Sequence, residues 1–590
     1  MQYVTEQKES LLRRLFRARI STTLFVIVFL ASICGLADVM DYSNQHGNVF
    51  STICLWLFVF TKTVVIVGIV QIVSCKSDDN EDSVIWKCVK VLAYLAIVLY
   101  IFLCIVNIVC HCLYGFGISH RLIVTLLETT VNEIAGFWPS FRSNLINTMN
   151  LWYTFGGFVV IYYGKLWLDS LNRKGIFTPV ILVFALAGVP AMTYLVFAKK
   201  GDNYLFGRTN LFITSRVVSY SVGAYRLIEQ VEYLQSCVPP LPYADELQRD
   251  PGCKNIIVAI GESALRDQWQ LYGYPMHTTP RISAMSDSLI VFGNAVGSSL
   301  GTADNLKHIL TFKPDDPTTT EWFHFPNIID LCNSAGYVTS WFSNQEIGGK
   351  FANFSYAIAS HSRNVKYIGS LTSDEKGSYK YDESLLPLID EIKLNDTVPD
   401  LAFFHLIGSH TSYNERFPEN CTHFQSEDIL KAFPDAKHLD IYSAKLVADY
   451  NNSLAYTDSV LSCMINRLSK VVQPVIFFYF SDHGVSVNVT RVYDGRERFC
   501  ARVPMIVYAN HAFHTEYPEI VEQIKQAKDK PVSTANIIHT LINISGISYP
   551  LYDASRDFLS PQFQETVRYV DETQWEEDVQ AGLRDRYVND

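Results

Sequence analysis

Four residues with metal-binding or acid–base side chains each follow a short apolar run. Glu262 follows NIIVAIG, His410 follows LAFFHLIGS, and Asp482 with His483 follows VIFFYFS. Zinc and manganese accept carboxylate oxygens and imidazole nitrogens as ligands. Adjacent residues of a continuing strand point to opposite faces, so Asp482 and His483 can bind one ion only where the strand has ended. Gly484 permits that turn. Each residue alone is common in proteins, and it is the four together that indicate metal chemistry.

A metal centre that transfers or hydrolyses a group also needs a nucleophile, and four hydroxyl residues are candidates: Ser263, Ser298, Ser299 and Thr302. Thr302 follows a glycine and opens the helix-like segment TADNLKHIL, where backbone N–H groups and the helix dipole favour an incoming phosphate. The simpler interpretation is that Thr302 is a helix N-cap. An alcohol is a weak nucleophile near neutral pH, and binding of the hydroxyl to a metal would lower its pKa.

The segments that carry these residues have the pattern of an α/β domain. Four runs rich in β-branched and aromatic residues end in polar turn residues, and helical segments such as NIIDLCNSAG separate them. The runs are 255–263, 337–345, 401–410 and 475–484. Continuous apolar strands separated by helices predict a mostly parallel sheet covered on both faces. Ligands gather at the carboxyl ends of the strands in such sheets, which is where the candidate residues fall.

The first 200 residues carry most of the apolar character of the chain. Five stretches are long enough to cross about 30 Å of hydrocarbon. They are residues 20–38, 52–74, 86–112, 151–168 and 178–198. The arginines before the first stretch also fit a secretory signal, but four more stretches follow. The sequence therefore predicts an N-terminal five-helix transmembrane domain over residues 1–200.

Basic residues set the orientation of these spans. Arginines cluster before the first span, and Arg173 with Lys174 lies between the fourth and fifth, which predicts that these ends are cytoplasmic. An odd number of spans delivers the rest of the chain to the outside. The connection 113–150 contains an amphipathic segment suited to the membrane surface. Residues 201–253 predict an amphipathic bridging helix and a proline-stiffened linker, and residues 254–590 predict the outer domain.

Charge and cysteine content exclude two other classes of function. The formal net charge of −11 and the lack of a basic block argue against a nucleic-acid partner. No C-x-x-C pair occurs, so a thiolate zinc site is not expected. Six cysteines of the outer part would face an oxidising compartment, and their spacing singles out no pairing. They are Cys237, Cys253, Cys332, Cys421, Cys463 and Cys500.

Several motifs together resemble a known family. They are GESALRDQWQLYGYPMHTTP, TADNLKHILTF, WFSNQ, FHLIGSHTSYNERFPE, YNNSLAYTDSVL, FSDHG and YDASRDFLSPQF. The chain is similar to the alkaline phosphatase/sulfatase superfamily and, within it, to the membrane-anchored phosphoethanolamine transferases of Gram-negative bacteria, closest to the type acting on the lipopolysaccharide core. The resemblance implies an α/β/α catalytic domain in the periplasm, held by a multi-pass anchor in the inner membrane.

The resemblance also implies the residues of a metal centre. Thr302 would be the nucleophile and the phosphoenzyme site, and it would share one zinc ion with Glu262, Asp482 and His483. Manganese is the alternative metal. His410 would lie across the site and contact phosphate or a second metal.

The substrates that the resemblance implies are lipids. Phosphatidylethanolamine would be the donor and lipopolysaccharide core, lipid A or another envelope glycan the acceptor, with the protein acting as a monomer. Glu133 and Asn132, in the segment ETTVNE, would form a membrane-proximal substrate loop. His410 and Lys307 complete the expected substrate-binding residues.

The chain departs from the family pattern after Asp-His-Gly. Val485 stands where many members carry Glu, and VSVNVTRVYDGRERFCARVPM lacks the second His of the family, so a second metal site is doubtful. Two alternatives stay open: a phosphoglycerol transferase of the same superfamily, and a non-catalytic relative that binds a glycolipid. A true sulfatase is discounted, because CVPPL at 237–241 lacks the arginine of the C-x-P-x-R motif.

Overall fold

A computed structural model describes most of the second half of the chain and parts of the first. The described residues are 22–34, 57, 60–69, 84–114, 118, 123, 163, 165–170, 186–187, 213–250, 252, 254–313, 322–345, 354–369, 381–394, 397–434, 441–485, 487, 498–565, 568–570 and 573–575. The chain divides into two compact units. One comprises Met1–Leu126 and Trp138–Tyr225, and the other comprises Leu127–Phe137 and Arg226–Asp590. The predicted domain limits at 200 and 253 stay predictions.

The described residues form helices in both units, and helices alternate with strands in the second. The helices of the described residues are α1 Thr22–Cys34, α2 Phe60–Ile69, α3 Val84–Tyr114, α4 Ile213–Ser236, α5 Pro280–Ala284, α6 Thr302–Leu310, α7 Ile328–Ser334, α8 Phe354–Ala359, α9 Ser426–Ala432, α10 Ile441–Leu468, α11 His511–Glu516, α12 Pro518–Ala527 and α13 Ile537–Ser545. The strands are β1 Gln248–Arg249, β2 Asn255–Gly261, β3 Ile290–Val291, β4 Ala295–Val296, β5 Val338–Ser343, β6 Asn364–Tyr367, β7 Asp400–His405, β8 Val475–Ser481, β9 Met505–Ala509, β10 Val532–Ser533, β11 Ile547–Ser548, β12 Tyr569–Val570 and β13 Thr573–Gln574.

The first unit contains apolar helices that pack together. Phe25 and Val28 of α1, Val67 of α2 and Tyr100 with Cys104 of α3 form a buried cluster. One helix of the described residues, Val84–Asn107, is long and apolar enough to cross a membrane, with a mean hydropathy of 2.7 over its most apolar window. It coincides with the third predicted span. The predicted count of five is not confirmed, because large parts of the other spans lie outside the described residues.

A seven-stranded sheet forms the centre of the second unit. Its strand order is β3-β9-β8-β2-β7-β5-β6. β2 pairs in parallel with β7 and β8, and β5 pairs in parallel with β7 and β6. β9 runs antiparallel to both of its neighbours. The sheet is therefore mixed and largely parallel, and its four central strands β8, β2, β7 and β5 are the four runs predicted from the sequence.

Two buried clusters cover the two faces of this sheet. Val258 and Ile260 of β2 belong to one cluster, together with apolar residues of α6, α7 and α13. Ile257 and Ala259 belong to the other, together with apolar residues of α10. This alternation along one fully buried strand shows that helices cover both faces. The second unit is the α/β/α domain expected from the sequence.

The segment before β2 packs on the same domain. Val231 and Leu234, near the end of α4, are buried in the first of the two clusters. β1 pairs antiparallel with β11, and the guanidinium Nε of Arg249 donates to the carbonyl of Ala335 at 2.9 Å. Residues 231–249 therefore pack against the domain, although they precede β2, the first strand of the central sheet in the sequence.

Candidate active site

The register of the sheet brings the ends of β2 and β8 level. Gly261 is the register partner of Ser481, so the residues that follow them, Glu262 and Asp482, leave the sheet side by side. Glu262, Asp482 and His483 are buried, with exposed fractions of 2%, 0% and 6%. One ligand atom from each lies within 4.8 Å of the others. The chain therefore turns after Ser481 as expected from the sequence, and it directs both Asp482 and His483 to the same point as Glu262.

Hydrogen bonds fix the orientation of Asp482 and His483. Asp482 Oδ1 accepts from the backbone N–H of His483 at 2.6 Å and from that of Ser263 at 3.1 Å. Asp482 Oδ2 is buried and has no hydrogen-bond partner among the described residues. Nδ1 of His483 donates to the carbonyl of Gly484 at 2.8 Å, which leaves the lone pair of the imidazole on Nε2. Nε2 lies 3.5 Å from Glu262 Oε1 and 3.5 Å from Asp482 Oδ2.

The two carboxyl groups respond differently to this environment. Burial would raise the pKa of Glu262, but the charges of His483 and His410, with hydrogen bonds from Ser263 and Thr302, outweigh it and lower the pKa. Burial and the neighbouring charge of Glu262 raise the pKa of Asp482 to about 6. Two close carboxylates destabilise each other's charged form. The cluster would therefore be stabilised by a cation.

Thr302 lies at the start of α6, directly against this cluster. Gly301 is the N-cap, so Thr302 is the first helical residue and not the capping residue. Its hydroxyl donates to Glu262 Oε2 at 2.9 Å and lies 3.3 Å from His483 Nε2. The α6 N-terminus thus presents its first N–H groups and the Thr302 hydroxyl at one place, an arrangement suited to a phosphate group.

The other candidate nucleophiles make different contacts. The hydroxyl of Ser263 donates to Glu262 Oε1 at 2.7 Å, and Ser263 has a positive φ of 59°. The hydroxyl of Ser298 donates to Asn305 Oδ1 at 3.0 Å, and the hydroxyl of Ser299 accepts from the Gly301 N–H at 3.3 Å. Among the four candidates, Thr302 is the one whose described hydrogen bonds reach both Glu262 and His483.

Two site residues were not predicted from the sequence. Asn305 is fully buried in α6, and its Oδ1 accepts from the backbone N–H of Ser299 at 3.1 Å, so it holds the loop that leads to Thr302. Nε2 of Gln345 donates to the carbonyl of Leu406 at 2.8 Å and lies 3.5 Å from Glu262 Oε2. Both residues fall in quoted motifs, TADNL and WFSNQ, but amide side chains of this kind are common, and only the tertiary contacts reveal their role.

His410 and Lys307 are the other predicted site residues among those that the structure describes. His410 follows β7, donates from Nδ1 to the carbonyl of Thr411 at 2.8 Å, and is close enough to lower the pKa of Glu262 through its charge. Nζ of Lys307 lies 2.7 Å from Asp304 Oδ1, one turn along α6. Its substrate-binding role stays a prediction. Glu133 and Asn132 lie outside the described residues.

The donor set fits a divalent metal ion. It comprises two carboxylates and the Nε2 of one imidazole, together with the Thr302 hydroxyl, which matches the ligands that zinc and manganese accept. The buried Asp482 Oδ2 is an acceptor for which the described residues provide no donor, as expected of a metal ligand. A bound ion of this kind would supply Lewis-acid stabilisation of negative charge on phosphoryl oxygens.

The chain is similar in sequence to known proteins. The sulfatase family model matches residues 254–547. The chain is 26% identical over 579 residues to phosphoethanolamine transferase EptC of Escherichia coli strain K12, covering 93% of this chain and 91% of that protein.

Two solved structures are also similar. A crystal structure of the C-terminal periplasmic domain of Escherichia coli EptC in complex with Zn matches with a TM-score of 0.50 and 25% identity, over 57% of this chain and 95% of that one. The integral membrane lipooligosaccharide phosphoethanolamine transferase A of Neisseria meningitidis matches with a TM-score of 0.61 and 19% identity, over 91% of this chain and 98% of that one. The second likeness concerns the fold.

Proposed function

We propose that this chain, which belongs to the sulfatase family through residues 254–547, transfers phosphoethanolamine from phosphatidylethanolamine to an envelope glycolipid such as lipopolysaccharide core or lipid A. Its similarity over 93% of its length to a named phosphoethanolamine transferase supports the reaction class. The observation that carries the proposal is the Thr302 hydroxyl, 2.9 Å from Glu262 and 3.3 Å from His483 at the start of α6.

Transfer would take place in two steps on Thr302. In the first, Oγ1 of Thr302 forms a bond to the donor phosphorus, its proton passes towards Glu262 Oε2, and diacylglycerol leaves with a proton from His410. In the second, an acceptor oxygen attacks the phosphothreonine and its proton passes to His410. The bond from phosphorus to Thr302 Oγ1 breaks, and Oγ1 takes back the proton held by Glu262. The N–H groups at the start of α6 stabilise charge on the phosphoryl oxygens.

Zinc is the proposed cofactor, held by Glu262, Asp482 and His483 at one site. The buried donor set supports it, and so does the zinc complex of the Escherichia coli EptC domain, which is 25% identical to this chain. A multi-pass inner-membrane anchor with the catalytic domain in the periplasm fits the lipid donor, because donor and acceptor would then diffuse in the same membrane surface as the enzyme.

The nucleophile assignment can be tested with Thr302→Ala and Thr302→Ser. Each full-length variant is expressed as the sole source of this activity, and envelope glycolipids are analysed by mass spectrometry. We expect Thr302→Ala to yield folded protein with no modified product, because it lacks the attacking oxygen. Thr302→Ser retains a hydroxyl and should retain measurable transfer.

Labelled donors distinguish the proposal from its alternatives. With purified wild-type protein, a headgroup-labelled phosphatidylethanolamine should leave label on the tryptic peptide that contains Thr302. Modified glycolipid made by Thr302→Ala would show that another residue is the nucleophile. Label transferred from phosphatidylglycerol instead would identify a phosphoglycerol transferase, and wild-type protein that binds glycolipid without transferring label would identify a non-catalytic relative.

A further inference from the structure

We propose that Asp382 is a positioning residue for the transfer reaction. It fixes the loop that carries His410 against the end of β2, next to Glu262. This proposal rests on the proposed function. Asp382 begins a 3-10 helix, Asp382–Glu391, and is 3% exposed. None of its described hydrogen bonds reaches a candidate metal ligand, so Asp382 would act through the loop.

The carboxylate of Asp382 accepts three N–H groups. Oδ1 accepts from the backbone N–H of Ile407 and from Nδ2 of Asn344, and Oδ2 accepts from the backbone N–H of Gly408, each at 2.9 Å. Hydrogen bonds to a buried carboxylate are stronger than those between neutral groups. Asp382 therefore holds both consecutive amides that lie two and three residues before His410.

The same loop rests on the backbone of Glu262. The N–H of Ser409 donates to the carbonyl of Glu262 at 2.9 Å. Gly408 has a positive φ of 50°, and a Cβ at this position would lie 2.8 Å from the Glu262 carbonyl oxygen. The backbone of the loop and that of the candidate metal ligand are thus in direct contact. A displacement of the loop would therefore change the distance between the side chains of His410 and Glu262.

The two acceptor oxygens of this carboxyl group, and not its charge, indicate why an asparagine would not replace it. Burial raises the pKa of Asp382, while the hydrogen bonds from Ile407, Asn344 and Gly408 and the charge of Arg416 oppose that rise. An asparagine has the same shape but offers one acceptor oxygen instead of two. One of the two backbone N–H groups would then face an NH2 group and lose its partner.

Asp400 provides a matched control on β7, the strand that leads to the His410 loop. It begins β7, is 2% exposed, and its Oδ2 accepts from the backbone N–H of Leu394 at 3.0 Å. β7 runs from Asp400 to His405, and the His410 loop follows His405. Asp400 therefore lies at the far end of β7 from this loop. Asp400→Asn thus removes a comparable buried carboxylate without altering a hydrogen bond of the loop.

The test compares Asp382→Asn, Asp400→Asn and wild type as full-length proteins. Transfer from headgroup-labelled phosphatidylethanolamine gives kcat and KM, thermal unfolding gives Tm, and hydrogen–deuterium exchange follows peptides that cover 401–413. We expect both variants to lower Tm. Asp382→Asn alone should reduce kcat about tenfold or more at nearly unchanged KM, and it should speed exchange at Ile407 and Gly408. Zinc content should match wild type.

Unchanged exchange of the loop in Asp382→Asn would overturn the proposal, as would a kcat within about twofold of wild type or an equal loss in Asp400→Asn. Loss of zinc from Asp382→Asn would also overturn it, because the residue would then support the metal ligands. Should Asp382→Asn not fold, Asp382→Glu moves the carboxylate by one methylene and should give the same pattern. Wild-type protein without transferase activity would refute the proposed function, whereas the exchange data would still test the anchoring of the loop.

Discussion

Glu262 and Asp482 place two buried carboxyl groups side by side, and their environment moves their pKa values in opposite directions. A divalent cation would relieve that repulsion and satisfy Asp482 Oδ2. We predict that Glu262→Gln reduces bound zinc from about one equivalent to a small fraction, because it removes both a charge and a ligand. Elemental analysis of the purified full-length protein measures this.

Asp458→Asn is the matched control for the zinc measurement. Asp458 is 1% exposed, and its carboxylate oxygens accept from the backbone N–H groups of Arg281 and Ile282 at 3.0 and 2.8 Å. Asp458 lies in α10 and binds the first turn of α5, outside the candidate metal cluster, so this variant should keep its zinc. Equal zinc in Glu262→Gln and wild type would exclude Glu262 as a ligand.

The residues that were predicted from the sequence are those whose type already limits their chemistry. Because parallel strands place the residues that follow them at one edge, Glu262, Asp482 and His483 were predicted as site residues. Asp382, Gln345 and Asn305 were not, because their importance depends on contacts with backbone groups distant in the chain. Val485, where the chain departs from the family pattern, is 8% exposed and packs in a hydrophobic cluster.

The loop that leads to Thr302 and the turn at Asp482 approach each other closely at Gly297. Gly297 directly follows β4, and a Cβ at this position would clash with the carbonyl oxygen of Asp482. Gly297→Ala should therefore separate the two segments, cost about 1–3 kcal/mol of stability, and reduce kcat at least several-fold. Thermal unfolding and labelled-donor kinetics measure the two effects.

Gly293→Ala is the control for this substitution. It lies two residues before β4, and the nearest atom to its Cβ would be Asp529 Oδ1, at 3.9 Å. This variant should behave as wild type. Wild-type kcat in Gly297→Ala would show that the close approach of the two segments is not needed for catalysis.

Elements with a strong local pattern were predicted, and those defined by their partner were not. The runs of β2, β5, β7 and β8 were recognised because they are continuous and apolar. Strands β3, β4 and β10 have two residues each, too few for a pattern, and exist through pairing. The antiparallel direction of β9 was also not predicted, since a buried strand has the same composition in either direction.

At the scale of the whole molecule, the catalytic half was predicted more completely than the membrane half. The α/β/α domain has strands and helices whose periods differ clearly, and its centre agrees with the sequence. The apolar stretches of the first 200 residues predict spans from length alone, and of the described helices Val84–Asn107 meets that criterion. Apolarity specifies that a segment prefers lipid, but it does not specify how such segments pack.

His361, whose side chain is 4% exposed, joins the end of α4 to α7. Nε2 of His361 donates to the carbonyl of Leu234, in the last turn of α4, at 2.8 Å, and Nδ1 donates to Asp330 Oδ1 at 2.9 Å. Burial would lower the pKa of His361, but its hydrogen bonds to Asp330 and Leu234 and the charge of Asp330 outweigh burial and raise the pKa. A positive charge near the carbonyl end of a helix is also favourable.

This contact makes part of the stability depend on pH in a defined direction. Because the folded pKa of His361 lies above its unfolded value, its stabilisation is complete below the unfolded pKa of about 6.5 and is lost as pH rises through the folded pKa. His361→Gln should therefore lower Tm at pH 6 and show a smaller difference from wild type at pH 9. Thermal unfolding of the full-length protein at both pH values measures this. His277→Gln, at an exposed histidine, should show little difference at either pH. If the Tm difference between His361→Gln and wild type stays constant or grows as pH rises, His361 joins α4 to the domain without carrying a charge.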